Sequence, residues 1–208
     1  SVIINHFNKD ILPNGYLGVD IFFVLSGYVI CSSISRRKSK NLKEFITSFY
    51  VRRIKRLIPA LVFFVVSVSL IICLFSPNTF GQINTGISAL FGVSNISLYW
   101  KSKDYFSELM TLNPFTHTWS LGVEEQFYLI YPFVLYFITK YSLSKNEFKN
   151  INIIFLIIIS FSLYNFIYND TFISNFYSPF IRIWELSLGC LAFILYSNNK
   201  NKINSNYS

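Results

Sequence analysis

The sequence predicts an all-α fold, a polytopic bundle of transmembrane helices with about six spans. Three observations predict it. Hydrophobic residues make up 52% of the 208 residues and charged residues only 13%, roughly half the charged share of a soluble domain. Aromatic residues reach 19%, with 23 Phe and 14 Tyr, which suits a lipid-facing surface edged by interfacial belts. Apolar runs of about 18–20 residues recur, the length that crosses the hydrocarbon layer of a bilayer.

Taken in order, residues 1–7 read as the tail of a first span, and residues 8–16 as a short loop broken by Pro13 and Gly15. Residues 17–34 make a tight span, and residues 35–56 a basic loop. Residues 57–75 are the plainest span, with Pro59 in the first turn, where proline is tolerated. Residues 76–117 are mixed, with an apolar piece near 86–99 suited to the membrane interface. Residues 118–139, 151–168 and 180–196 span again, joined by loops 140–150 and 169–179. Residues 1–197 thus form part of one membrane domain and residues 198–208 a polar tail. The chain opens at Ser1 inside an apolar segment, without an initiator Met, so both ends are expected to be cut from a longer protein.

The net charge is +8. On a soluble chain that would suggest a nucleic-acid partner, but here the basic residues stand beside apolar runs, as cytoplasmic loop charges do. Loop 35–56, loop 140–150 and the tail hold 14 Lys and Arg, against 3 on the opposite side. The basic loops are therefore read as cytoplasmic. Cys31, Cys73 and Cys190 all sit in apolar stretches without zinc-ligand spacing, so they read as small apolar thiols and no metal site is expected.

An ionisable residue inside a span is costly and points to function by default. Asp20, Glu124, Glu125, Arg182 and Glu185 lie within spans, with His6 and His117 near span ends. Given the orientation, all seven fall in the outer half of the bilayer; Glu124 lies roughly 9 Å deep at 1.5 Å per residue. Arg182 and Glu185, at i and i+3, can pair on one helix face. Glu124 and Glu125 point about 100° apart, so at most one faces a shared site. A histidine suits proton transfer near neutral pH, which favours His6 as a base over an interfacial polar residue. Asp20 and Arg182 read equally as buried ions that hold helices together. Ser26 and Ser120 lack a nucleophile frame and read as structural.

On the cytoplasmic side, Arg52, Arg53 and Arg56 lie at helical spacing in FYVRRIKRLIP. Guanidinium matches phosphate, although composition alone favours an anchor that touches anionic lipid headgroups.

Four motifs in order, GYLGVDIFFVLSGYVI (15–30), FYVRRIKRLIPA (49–60), HTWSLGVEEQFYLIYP (117–132) and RIWELSLG (182–189), resemble the acyltransferase-3 family of bacterial membrane O-acyltransferases. The resemblance covers most of the chain. It implies a ten-helix acyltransferase domain of which about six spans are present. It also implies acyl-CoA, usually acetyl-CoA, as donor substrate rather than a bound cofactor, and a glycan hydroxyl as acceptor. The setting it implies is a bacterial inner membrane. The family histidine corresponds to His6, the aspartate of G-V-D-x-F-F to Asp20, the arginines to Arg52, Arg53 and Arg56, the acid of W-S-L-x-x-E to Glu124, and R-x-W-E to Arg182, Trp184 and Glu185. The family arginine upstream of the histidine would lie before Ser1.

The resulting expectation joins two charged layers. The three arginines hold acyl-CoA phosphates, His6 takes the proton from a sugar hydroxyl, Asp20 or Glu124 orients the imidazole, and Arg182 supports oxyanion charge, with Glu185 beside it. His117, Trp119 and Trp184 are candidates for a supporting role. The rival reading is a polytopic transporter or flippase, in which buried charges line a path.

Overall fold

The structure, a computed structural model, describes Asn14 and residues 17–35, 41–75, 79–103, 112–141, 145–168 and 176–206. Among these the chain is helical and contains no strand. The helices are α1 (Leu17–Ser35), α2 (Leu42–Phe75), α3 (Phe80–Leu90), α4 (Ser94–Lys103), α5 (Trp119–Tyr141), α6 (Lys145–Tyr168) and α7 (Pro179–Asn206), with a 3-10 turn at Thr116–Thr118 before α5. Three segments, Leu17–Ser35, Leu42–Phe75 and Pro179–Ser197, are long and apolar enough to cross a membrane. Many of their large apolar side chains face outward, among them Phe63, Leu70, Leu74 and Phe75 of α2. Such a surface is stable against lipid rather than water.

Three sequence expectations are corrected. Residues 42–56 are not loop but the first half of α2. Phe45 and Phe49, one turn apart, are both buried, and this apolar pair carries the helix through its charged stretch. Pro59 consequently lies well inside α2 rather than in its first turn. Lacking an N–H, it leaves the Lys55 carbonyl without the usual i+4 donor. Residues 145–150, read as part of a loop, are the start of α6, because they hold no Gly or Pro to break a helix. The expected first span at 1–7 lies outside the described residues.

The chain divides into two compact units. One comprises Ser1–Lys38, Phe137–Ile167 and Arg182–Ser208. Here α1 and α7 run side by side in the same direction: Asp20 meets Arg182, Gly189 lies against Val24, and Tyr28 stacks edge-on against Phe193 at 5.4 Å. Two glycines allow the close approach. A Cβ on Gly27 would strike the Leu186 carbonyl, and one on Gly189 the Val24 carbonyl. Such small-residue contacts bring helix backbones together where lipid offers no hydrophobic drive between helices. The Cys190 thiol donates to the Gly27 carbonyl at 3.2 Å.

The other unit comprises Ser39–Tyr136 and Tyr168–Ile181. Its core gathers Leu61, Val65 and Ile72 of α2, Ala89 of α3 and Phe115. Lys101 of α4 ties back to α3, donating to the Gly81 carbonyl and, at 2.7 Å, to Thr85 Oγ1. Asn113 donates to the same hydroxyl at 2.9 Å. This hub joins α3, α4 and the segment that leads to the 3-10 turn.

Candidate active site

The first cluster forms where α7 opens against α1. Arg182 Nη1 donates to Asp20 Oδ1 at 2.7 Å and to Glu185 Oε1 at 2.6 Å. Arg182 and Glu185 are buried, while the Asp20 side chain keeps 28% exposure. Asp20 is therefore the accessible member of the trio. The Phe166 ring of α6 lies 5.5 Å from Arg182 Cζ and adds a cation–π contact. Glu185 Oε2 is buried and makes no hydrogen bond among the described residues. Trp184, beside the trio, donates its backbone N–H to Ser162 Oγ at 3.3 Å, and its indole lies 6.2 Å from Phe166. A guanidinium clamped by two carboxylates away from water is a cation of fixed orientation, the arrangement that stabilises charge developing in a reaction.

The second cluster surrounds the start of α5, in the other unit. Glu124 is buried at 4% exposure. Glu125 turns instead toward Gly92, which adopts φ +67 at the α3–α4 turn, where a Cβ would run into the Glu125 carboxylate. The divergence expected of adjacent helical residues is thus realised. Gln126 Nε2 donates to the Gly92 carbonyl at 3.0 Å and to Asn95 Oδ1 at 2.8 Å. Asn95, fully buried, donates to the Tyr177 carbonyl at 3.1 Å. Ser94 Oγ donates to the Thr118 carbonyl at 2.8 Å. Gly122 permits this packing, since a Cβ there would stand 2.8 Å from Asn95 Oδ1. Trp119 is buried between Phe176 and Tyr177, at 4.4 and 5.9 Å between ring centroids. His117 lies in the 3-10 turn with its side chain exposed.

The arginines lie along α2. Arg53 is half-buried, with its guanidinium carbon 4.3 Å from the Tyr128 ring centroid and 6.0 Å from that of Phe49. Arg52 is exposed and donates to Ser48 Oγ at 3.3 Å; Arg56 is exposed as well.

The structure thus brings Asp20, Arg182 and Glu185 together, with Trp184 alongside, and it groups Glu124, Trp119 and His117 around the head of α5. His6 lies outside the described residues. Sequence reasoning missed Asn95, Ser162, Phe166 and Tyr128. Asn95 carried a usable signal, a polar amide inside an apolar stretch; an aromatic ring that serves a cation carries none. Among the described residues, no three His, Cys, Asp or Glu gather to hold a metal ion.

An integral membrane helical domain with buried ion pairs is the class these features define. The profile of the acyltransferase-3 family, described as an acyltransferase domain, matches residues 2–207, and the chain belongs to that family. It is similar to O-acetyltransferase OatA of Staphylococcus aureus (strain NCTC 8325 / PS 47), with 37% identity over 197 residues, covering 93% of this chain and 32% of the relative. OatA of Staphylococcus aureus (strain COL) shows the same 37% identity over 197 residues, with the same 93% and 32% coverage. The chain spans about a third of the length of the curated relatives it matches, at 32%. No solved structure matches it.

Proposed function

We propose that this protein is a multi-pass O-acyltransferase of the bacterial inner membrane. It moves an acyl group, most simply acetyl, from cytoplasmic acyl-CoA to a hydroxyl of a cell-surface or lipid-linked glycan. The observation that carries the reading is the Asp20–Arg182–Glu185 trio, with Arg182 and Glu185 buried, inside a chain that matches an acyltransferase family over residues 2–207. The O-acetyltransferase name of the relatives supports acetyl as the group moved.

In the proposed reaction the glycan hydroxyl oxygen attacks the thioester carbonyl carbon. The O–C bond forms, the C–S bond breaks, and the proton passes from the hydroxyl to His6 and then to the departing CoA thiolate. Arg182, held by its two carboxylates, supports the negative charge on the thioester oxygen in the transition state. Asp20, the half-buried member of the trio, or Glu124 orients the His6 imidazole and stabilises its cationic form. Arg52, Arg53 and Arg56 take the phosphates of acyl-CoA. Glu185 positions Arg182, and His117, Trp119 and Trp184 support the two clusters.

The test uses the full-length protein in membranes with radiolabelled acetyl-CoA and glycan. Transfer of label by the wild type and its loss in His6→Ala are expected. Label transfer at the wild-type rate in His6→Ala would remove the histidine from the mechanism. Passage of glycan across the membrane without labelling would favour a transporter.

A further inference from the structure

Pro132 lies inside α5 and is fully buried. Proline has no N–H, so the carbonyl four residues earlier, that of Tyr128, loses its helical donor, and the ring pushes the preceding turn open. A carbonyl left without a donor in an apolar setting is costly. At this point a phenol arrives from another helix. Tyr50 of α2 places its hydroxyl 3.2 Å from the Tyr128 carbonyl and 2.9 Å from the Leu129 carbonyl. One O–H supplies one proton, so the two carbonyls share it. Less than one helical turn further along α2, Arg53 lies over the ring of the same Tyr128, 4.3 Å from its centroid. Phe45, five residues before Tyr50, meets Tyr136 at 5.3 Å. Tyr50 and Arg53 thus hold one turn of α5 by its backbone and by an aromatic face.

We infer that Tyr50 is a positioning residue for the donor end of the reaction, fixing the arginine-bearing stretch of α2 on the backbone that Pro132 opens in α5. This rests on the proposed role of Arg52, Arg53 and Arg56 toward acyl-CoA. The hydroxyl sets the axial register of α2 against α5, because Pro132 takes the helical donor from one carbonyl inside α5, that of Tyr128, and the hydroxyl meets it there. With the register fixed, Arg52 and Arg56 present their guanidinium groups from one place.

The experiment measures the KM for acetyl-CoA, the KM for glycan and kcat in the full-length protein, for wild type, Tyr50→Phe, Pro132→Ala and the double variant. Phenylalanine keeps the ring and removes the proton that the Tyr128 carbonyl needs. Tyr50→Phe is expected to raise the acetyl-CoA KM about fivefold, the worth of one hydrogen bond, with the glycan KM and kcat kept. Pro132→Ala gives the Tyr128 carbonyl its helical donor back but does not tie α2 to α5, so the double variant is expected to regain thermal stability and to keep the raised acetyl-CoA KM. An unchanged acetyl-CoA KM in Tyr50→Phe overturns the inference. So does a double variant whose acetyl-CoA KM returns to the wild-type value, and so does a fall in kcat with KM unmoved. A parallel Arg52→Ala, Arg56→Ala variant separates the two claims. If it raises the acetyl-CoA KM while Tyr50→Phe does not, only the positioning role fails. If it leaves that KM unchanged, the arginines do not hold the donor and the positioning role falls with them.

Discussion

Asp20 and Arg182 stand 162 residues apart in the chain and 2.7 Å apart in space. The contact spans two helices whose backbones touch further along, where Gly27 and Gly189 leave room. Glu185 completes the trio from within α7, one turn from Arg182 and fully buried. Removing the cation from such a cluster leaves two acids facing one another. We therefore expect Arg182→Ala to cost about 3–5 kcal/mol and to abolish acyl transfer. Asp20→Asn keeps the shape and part of the hydrogen bonding, and should cost less, about 1–3 kcal/mol. Thermal melting in detergent and labelled acetyl transfer would register both, and a milder effect from Arg182→Ala than from Asp20→Asn would contradict the arrangement.

The glycines give a prediction with a built-in control. Gly27→Ala or Gly189→Ala drives a methyl into a carbonyl of the neighbouring helix. Each is expected to destabilise by at least about 1–3 kcal/mol, the usual cost of overpacking, and to lower activity by prying Asp20 from Arg182. Gly81, in the first turn of α3, has nothing within 4 Å of a built Cβ. Gly81→Ala should be neutral or stabilising by up to about 1 kcal/mol. Melting temperatures of the three variants, measured side by side, check the contrast.

Asn95 and Gln126 form an amide pair that also engages the Gly92 and Tyr177 carbonyls. Replacing either with alanine strands buried partners at a cost of about 1–3 kcal/mol. Because the two share one network, the double variant is expected to lose less than the sum of the singles. Additive losses in a double-mutant cycle would show that the amides act separately.

Arg53 differs from Arg52 and Arg56 in lying over an aromatic ring. Lysine keeps the charge but not the planar group that stacks there. Arg53→Lys is expected to cost about 0.5–1 kcal/mol of stability, whereas Arg56→Lys, at an exposed position, should melt with the wild type. Equal melting of Arg53→Lys and Arg56→Lys would argue against the stacking.

Much of the fold was legible in the sequence because apolar runs mark helices, and the runs at 17–34, 57–75 and 180–196 fall in the three segments long and apolar enough to cross a membrane. The pairing of Arg182 with Glu185 was legible too, since helical spacing alone brings i and i+3 together. The partnership with Asp20 was not, because spacing within a helix says nothing about which helices are neighbours. The start of α2 was misjudged for a related reason. Hydropathy reports where a helix becomes apolar, not where its backbone hydrogen bonding begins, and the charged turns before Pro59 are held by Phe45 and Phe49. Asn95 carried a signal as an amide in an apolar stretch, but its role was not legible, because its partners come from segments distant in the chain. His6, the centre of the expected mechanism, lies outside the described residues.

The separation of Asp20 from its cation along the chain bears on how the protein is made. Asp20 emerges from the ribosome 162 residues before Arg182, an interval of roughly 8–30 s at ordinary synthesis rates. For that time α1 has to stay in the membrane with an acid whose counter-ion does not yet exist. Its place in the first turn of α1 offers a refuge, since a side chain at a helix end can reach up into the headgroups. Only the arrival of α7 draws it inward, so insertion of the last described helix is also the step that locks the first.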